Sequence, residues 1–178
     1  MTTAYLTPVS AFDDAHAKVC AAAREMLTLV SVSLHHQFPT GAYLVLTRPV
    51  DHDDEDAVRL DSVRDAQGAM LREFEPWGRT RWPLPALPDA LAALWGNRDP
   101  RDPRDVLDLI QRVDAVDRYE FLDFLPLELR TAEEIRKEGE GGRTPLGLPL
   151  RAAHCPVHGV LCEPDDHVEP PTVYGEVI

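Results

Sequence analysis

The sequence predicts an α+β fold: a long N-terminal helix packed on a three-stranded antiparallel meander, followed by a helical half and an extended C-terminal tail. Apolar residues recur at helical steps from residue 12 to 30, segments of strand character follow between residues 42 and 74, and helix-capping residues reappear after residue 88. A chain of 178 residues is long enough for one core. We therefore expect one domain over residues 1–138 and an appendage over residues 139–178, behind a glycine-rich break.

The first helix is expected to begin at Ser10, because Ser10 and Asp13 have the spacing of an N-cap pair. Phe12, Ala15 and Val19 then begin an apolar stripe that continues along one face of an amphipathic helix. A proline and a glycine at positions 39 and 41 must end this helix.

Three strands are expected after the first helix. Residues 42–47 form a short apolar run with aromatic and β-branched side chains, and residues 58–63 alternate between apolar and polar. The turn at residues 65–68 ends in Gly68, which can adopt the left-handed conformation that lets residues 69–74 fold back as the third strand.

The second half of the chain is predicted to be mainly helical. Four prolines between residues 76 and 88 interrupt regular structure, and a short helix is expected from there to Trp95. Asp102 as N-cap and Pro103 as first helical residue begin another helix. That helix is expected to continue to Pro126 through Tyr119, Leu122 and Leu125. Thr131 and Glu134 form a capping box for a last helix that ends near Lys137.

The charge of the chain bears on its partners. A net charge of -13, from 18 basic and 31 acidic side chains, would repel a nucleic-acid backbone and an anionic membrane surface. The sequence has no secretory signal and no apolar run of the ~18 to 20 residues that span a bilayer. We therefore expect a cytoplasmic protein with reduced thiols and a protein partner, without direct binding to nucleic acid or membrane. The preference for arginine over lysine is typical of a GC-rich bacterial genome.

One cluster of residues has the composition of a metal site. Cys155, His158, Cys162 and His167 have the spacing C-x2-H-x3-C-x4-H, and the Cys-Pro-Val-His-Gly portion resembles the turn of a zinc knuckle. Four such ligands suit tetrahedral zinc and leave no open position for a catalytic water, so the zinc would be structural. The alternative is a β-hairpin turn with small apolar cysteines and solvated histidines.

Two further groups of residues have a simpler structural interpretation. The acidic segment 50–56 begins like a calcium loop, but Asp56 stands where glycine is needed and Ser62 where a bidentate glutamate is needed. We expect a solvated loop there. His16 and Cys20 share a helix face, as a cysteine nucleophile and its base would, but no orienting residue accompanies them, so packing is favoured.

Aromatic and basic side chains interleave in one segment, which contains Trp77, Arg79, Arg81 and Trp82. Such a pattern can stack on an aromatic group of a partner. In the alternative interpretation, both indoles fold down over the sheet and the arginines pair with local carboxylates. Tyr174 lies in a proline-spaced C-terminal end that is a second candidate for partner contact.

The sequence contains no phosphate-binding loop, no dinucleotide-binding glycine pattern and no hydrolase or kinase motif. We therefore expect a non-enzymatic interaction or accessory factor. Three alternatives remain open: a zinc-stabilised binding protein with the C-terminal knuckle, an enzyme of unrecognised type with a pocket at residues 77–82, and an inhibitor that mimics nucleic acid. Oligomeric state is not predicted.

Overall fold

A computed structural model describes residues 7–49, 57–78, 82–140 and 142–151 of the chain. It shows an α+β fold with a long N-terminal helix, an antiparallel sheet and further helices, as the sequence predicts. Helix α1 spans Pro8–Gln37. The three predicted strands are β1 (Gly41–Pro49), β2 (Arg59–Asp65) and β3 (Met70–Glu73), paired antiparallel in sequence order.

The N-cap of α1 is Thr7, so the prediction of Ser10 is wrong. The Thr7 hydroxyl accepts the N–H of Ser10, and Pro8 occupies the first helical position. Proline fits that position because the first N–H groups of a helix have no acceptor within the helix. The Ser10 hydroxyl instead donates to the Thr7 carbonyl, within the first turn.

The turn between β2 and β3 agrees with the prediction. Gly68 has a φ of 82°, a conformation that side chains rarely adopt. Asp65 accepts the backbone N–H groups of Gln67 and Ala69, which holds the turn closed.

Two more strands extend the meander to a five-stranded sheet in the order β3-β2-β1-β5-β4. β4 is the short strand Asp123–Phe124, and β5 spans Arg143–Pro149. β5 pairs antiparallel with β1 from Tyr43 to Pro49. β5 lies within residues 139–178, which the sequence predicts as an appendage. The sheet therefore includes the first part of that segment.

The outer edge of β5 carries two prolines. The backbone groups of successive residues in a strand point alternately to its two sides. The N–H of Leu150 donates to Ala42 on the β1 side, so residues 145, 147 and 149 direct their backbone groups away from β1. The carbonyl of Pro145 accepts the N–H of Leu125, and the carbonyl of Pro149 accepts the Ser31 hydroxyl. Gly147 pairs with β4.

The helices of the second half are short. α2 spans Asp89–Ala92 and runs into a 3-10 turn at Ala93–Trp95. α3 spans Pro103–Asp114, and the Asp102 side chain caps it as predicted. After a 3-10 turn at Leu127–Leu129, α4 spans Ala132–Gly139 and begins with the predicted capping box of Thr131 and Glu134.

The predicted continuation of α3 to Pro126 is wrong. The helix ends at Asp114, and the Asp117 carboxylate then accepts the N–H groups of Tyr119 and Glu120. Such side-chain bonds offer the backbone an alternative to the helical ladder. Of the residues predicted to continue the helix, Leu122 and Leu125 are buried and Tyr119 is exposed.

The described elements form three layers. Helices α1 and α3 pack together on one face of the sheet, where Val30, Leu34 and Ile110 share one hydrophobic core with leucines of β1 and β5. The segment from Leu125 to α4 covers the opposite face, where Leu125 and Leu129 pack against Val45. The Trp95 indole donates to the buried Ser33 hydroxyl at 2.9 Å and so joins the α2 region to α1.

The second face contains a buried ion pair. Arg64 of β2 is only 2% exposed, and its guanidinium donates to the Glu134 carboxylate at 2.5 and 3.1 Å and to the Leu129 carbonyl at 2.9 Å. Its Nε donates to Ser62. Burial alone would raise the pKa of Glu134, but the hydrogen bonds from Arg64 and Thr131 outweigh it and hold this pKa below its ordinary value.

We predict that Glu134→Gln lowers the free energy of unfolding by about 2 to 4 kcal/mol, because the buried Arg64 then loses its two-point carboxylate partner and keeps only the contact with the less buried Asp61. Urea unfolding at neutral pH measures the change. Glu133→Gln is the matched control, because the neighbouring Glu133 pairs with Lys137 on the exposed side of α4 and should have little effect. Equal stability of the two variants would contradict the prediction.

We also predict a pH dependence from Glu134. The pKa of Glu134 is lower in the folded protein than in the unfolded chain. Such a carboxyl group stabilises the fold fully at any pH above its pKa in the unfolded chain, and this stabilisation is lost as the pH falls through its pKa in the folded protein. The unfolding free energy should therefore drop below about pH 4.3, the ordinary glutamate value. In Glu134→Gln, the slope of stability against pH in this acidic range should be smaller than in the wild type.

Candidate interaction surface

Helix α1 is longer than the layer on which it packs. Its 30 residues correspond to about 45 Å at 1.5 Å per residue. Nine residues between Cys20 and Gln37 are buried, whereas none of residues 8–19 is buried. The first three turns therefore extend past the sheet, and we call residues 8–19 the α1 overhang.

Large apolar side chains are exposed along the overhang. Val9 is 70% exposed, Phe12 71% and Val19 48%, and the exposed His16 lies between them on the same face. These four residues are spaced by three, four and three positions, so they form one row on the helix. We call this row the overhang stripe.

The overhang stripe continues the core-facing side of α1. Extending the same spacing leads to Ala23, Leu27, Val30 and Leu34, which are all in the hydrophobic core. A single apolar face thus runs along the helix, covered by the sheet and α3 at one end and uncovered at the other. Exposed apolar rows of this kind mark contact surfaces more often than isolated apolar residues do.

Two neighbouring side chains of the stripe, Phe12 and His16, contact each other. The rings of Phe12 and His16 are stacked, with 6.3 Å between their centroids and an angle of 4° between their planes. His16 Nε2 lies 3.6 Å from the Cys20 sulfur, at the point where burial begins. Cys20 is only 6% exposed and packs in the protein, whereas His16 is exposed.

The sequence pattern predicts the apolar side of α1 but not the exposed end of the helix. Periodicity shows which side of a helix is apolar, and it carries no information on which turns are covered. The available signal was length: three strands of about six residues make a sheet about 20 Å long and narrower still across the strands, which cannot cover a helix of about 45 Å.

The predicted aromatic and basic segment is only partly described. Trp77 and Trp82 lie outside the core, with 43% and 68% of their surface exposed. The Arg59 guanidinium lies 4.3 Å from the Trp77 ring centroid, and Arg72 donates to the Trp82 carbonyl at 2.8 Å. Arg79, Arg81 and Tyr174 lie outside the described residues.

The predicted metal ligands Cys155, His158, Cys162 and His167 also lie outside the described residues, as does the acidic segment 50–56. Within the described ranges, no group of three or more histidine, cysteine, aspartate or glutamate side chains could hold a metal ion. The structural zinc therefore stays a prediction from the sequence.

Elemental analysis of protein purified without a histidine tag tests the zinc prediction. A zinc-bound knuckle requires about one zinc per chain, and a chelator should then lower the melting temperature because metal binding is coupled to folding. A content under about 0.3 metal per chain would contradict it.

Among the described residues, no helix has both the length and the apolar character needed to cross a bilayer. Comparison of the chain with protein-family models, with curated proteins and with solved structures finds no match in any of the three.

Proposed function

We propose that the protein is a non-enzymatic cytoplasmic interaction factor that binds another protein through the overhang stripe. The observation that carries this proposal is the exposure of Val9, Phe12 and Val19 on the side of α1 that forms the core further along the helix. An uncovered apolar face of three helical turns is the arrangement by which helices dock onto partner proteins.

The partner that fits this surface is an amphipathic helix with basic residues beside its apolar face. Apolar positions at steps of three and four can interdigitate with a matching row on a second helix. Asp13 lies beside the stripe, and the whole chain has a net charge of -13. Basic flanks on the partner would speed association and orient the helix, whereas phosphate groups would be repelled.

We predict that Phe12→Glu weakens partner binding by about 2 to 4 kcal/mol, because Phe12 is the aromatic centre of the stripe and a charge there must be desolvated. Leu94→Glu is the matched control, since Leu94 is also mostly exposed but lies on the 3-10 turn after α2. The fold of both variants is checked by thermal unfolding, which should be unchanged because neither side chain is in the core.

The experiment is affinity capture from the native host followed by binding measurements on the purified partner. The proposal requires one protein that binds the wild type and Leu94→Glu, fails to bind Phe12→Glu, and loses affinity as salt rises. Equal binding by Phe12→Glu would overturn it. A homodimer in sedimentation that Phe12→Glu dissociates would also overturn it, because a second copy would then cover the stripe. Partner binding that appears only after residues 152–178 are removed would do the same, because the chain itself would then cover the stripe.

A further inference from the structure

One side chain in the overhang stripe can gain a charge near neutral pH. Val9, Phe12 and Val19 are apolar, whereas His16, which lies between them on the same face, carries an imidazole. Histidine is the side chain that ordinarily changes its charge between about pH 5 and about pH 8. The charge in the middle of the stripe therefore depends on the pH of the surroundings.

The imidazole of His16 is held in the row by two neighbours that tolerate both of its charge states. Its ring stacks on Phe12 with an angle of 4° between the planes, and its Nε2 lies 3.6 Å from the Cys20 sulfur. A thiol can donate to a neutral imidazole or accept from a protonated one, and a cation also stacks favourably on an aromatic ring. Protonation therefore changes the charge of the stripe without removing these contacts.

No compensating charge is bonded to His16. Asp13 is three positions before it and lies beside the stripe, but no ion pair joins the two side chains. Within the ranges that the structure describes, no side chain of another element forms a hydrogen bond, ion pair or ring contact with His16. A proton on this ring consequently places an unpaired positive charge on the apolar face that continues into the core.

Such a charge opposes docking in two ways. A neutral imidazole can pack against a partner as a small aromatic ring, whereas a protonated one must give up its hydration when the stripe is covered. The partner proposed above carries basic residues beside its apolar face, and these would repel the protonated ring.

We infer that His16 makes binding at the overhang stripe dependent on pH: the partner helix binds while the ring is neutral and dissociates as the ring gains a proton. The inference rests on the proposed function and adds a regulation to the same surface. Because the neutral form binds more tightly, affinity is complete above the pH range in which His16 titrates and is lost as pH falls through that range. The fold itself is unaffected, since none of residues 8–19 is buried.

A synthetic peptide tests the inference with a probe of known composition. The peptide is a helix of about 18 residues, or about five turns, with leucines at steps of three and four and arginines beside them. Arginine keeps its charge across this pH range, so a change in affinity belongs to the protein. Fluorescence anisotropy of the labelled peptide should give a Kd about tenfold weaker at about pH 5.5 than at about pH 7.5, because only about one tenth of an ordinary histidine is then neutral.

Variants of His16 separate its charge from its packing. His16→Gln, which cannot gain a proton, should bind the peptide with nearly the same Kd at both pH values, and His16→Lys should bind weakly at both. His36→Gln is the matched control, because His36 is also an exposed histidine of α1 but lies in its last turn. This control should show the pH dependence of the wild type, and circular dichroism of all variants should be unchanged between the two pH values.

The outcomes distinguish this inference from the proposed function. An equal loss of affinity in the wild type and in His16→Gln on acidification would overturn the inference, because the loss would then come from other groups. A wild-type Kd that is the same at both pH values would also overturn it and leave the proposed function in place. Absence of peptide binding at about pH 7.5, or equal binding by Phe12→Glu, would overturn the proposed partner class and the inference with it.

Discussion

The pairing of β5 with β1 holds the two ends of the described chain together. β1 is the central strand, and its neighbours β2 and β5 come from opposite halves of the sequence. Closing a loop of about a hundred residues costs conformational entropy, which the continuous ladder and the burial of Leu146 and Leu148 must offset. The chain between β1 and β5 supplies α3, which packs with α1 on one face of the sheet, and α4, which contacts β5.

The two faces are covered in chemically different ways. Helices α1 and α3 bury aliphatic side chains on one face, whereas the opposite face has a small apolar cluster and the buried Arg64. The guanidinium joins β2, the Leu129 carbonyl and α4 through directional hydrogen bonds. Hydrophobic contact stabilises the first face without strict geometry, and on the second face the ion pair determines where α4 lies.

Local sequence signals predicted the elements whose formation depends on neighbouring residues. The helical period of α1, Gly68 in the β-turn, and the caps of α3 and α4 all act within a few residues, and these elements are present. β5 was not foreseen because Pro145, Gly147 and Pro149 lower strand propensity, and pairing with β1 overrides that preference. The turn at Asp117 is also a local signal. It was missed because the apolar period of α3 continues past Asp117 and predicts helix over the same residues.

The candidate sites depend more strongly on tertiary structure. Phe12 and Val30 belong to one sequence pattern, and only the extent of the sheet makes the first exposed and the second buried. Trp77 is a further case, because its ring lies against Arg59 of β2 and not in the hydrophobic core.

The prolines of β5 have a consequence for how this protein meets other chains. An exposed strand edge is a template for a further strand, and proteins protect such edges from aggregation. At the outward positions of β5, Pro145 and Pro149 have no N–H to donate, their carbonyls are already bonded, and Gly147 is paired with β4. Backbone-to-backbone addition of a foreign strand is therefore blocked from Pro145 to Pro149. Contacts made there must use side chains, which recognise a particular partner rather than any extended peptide.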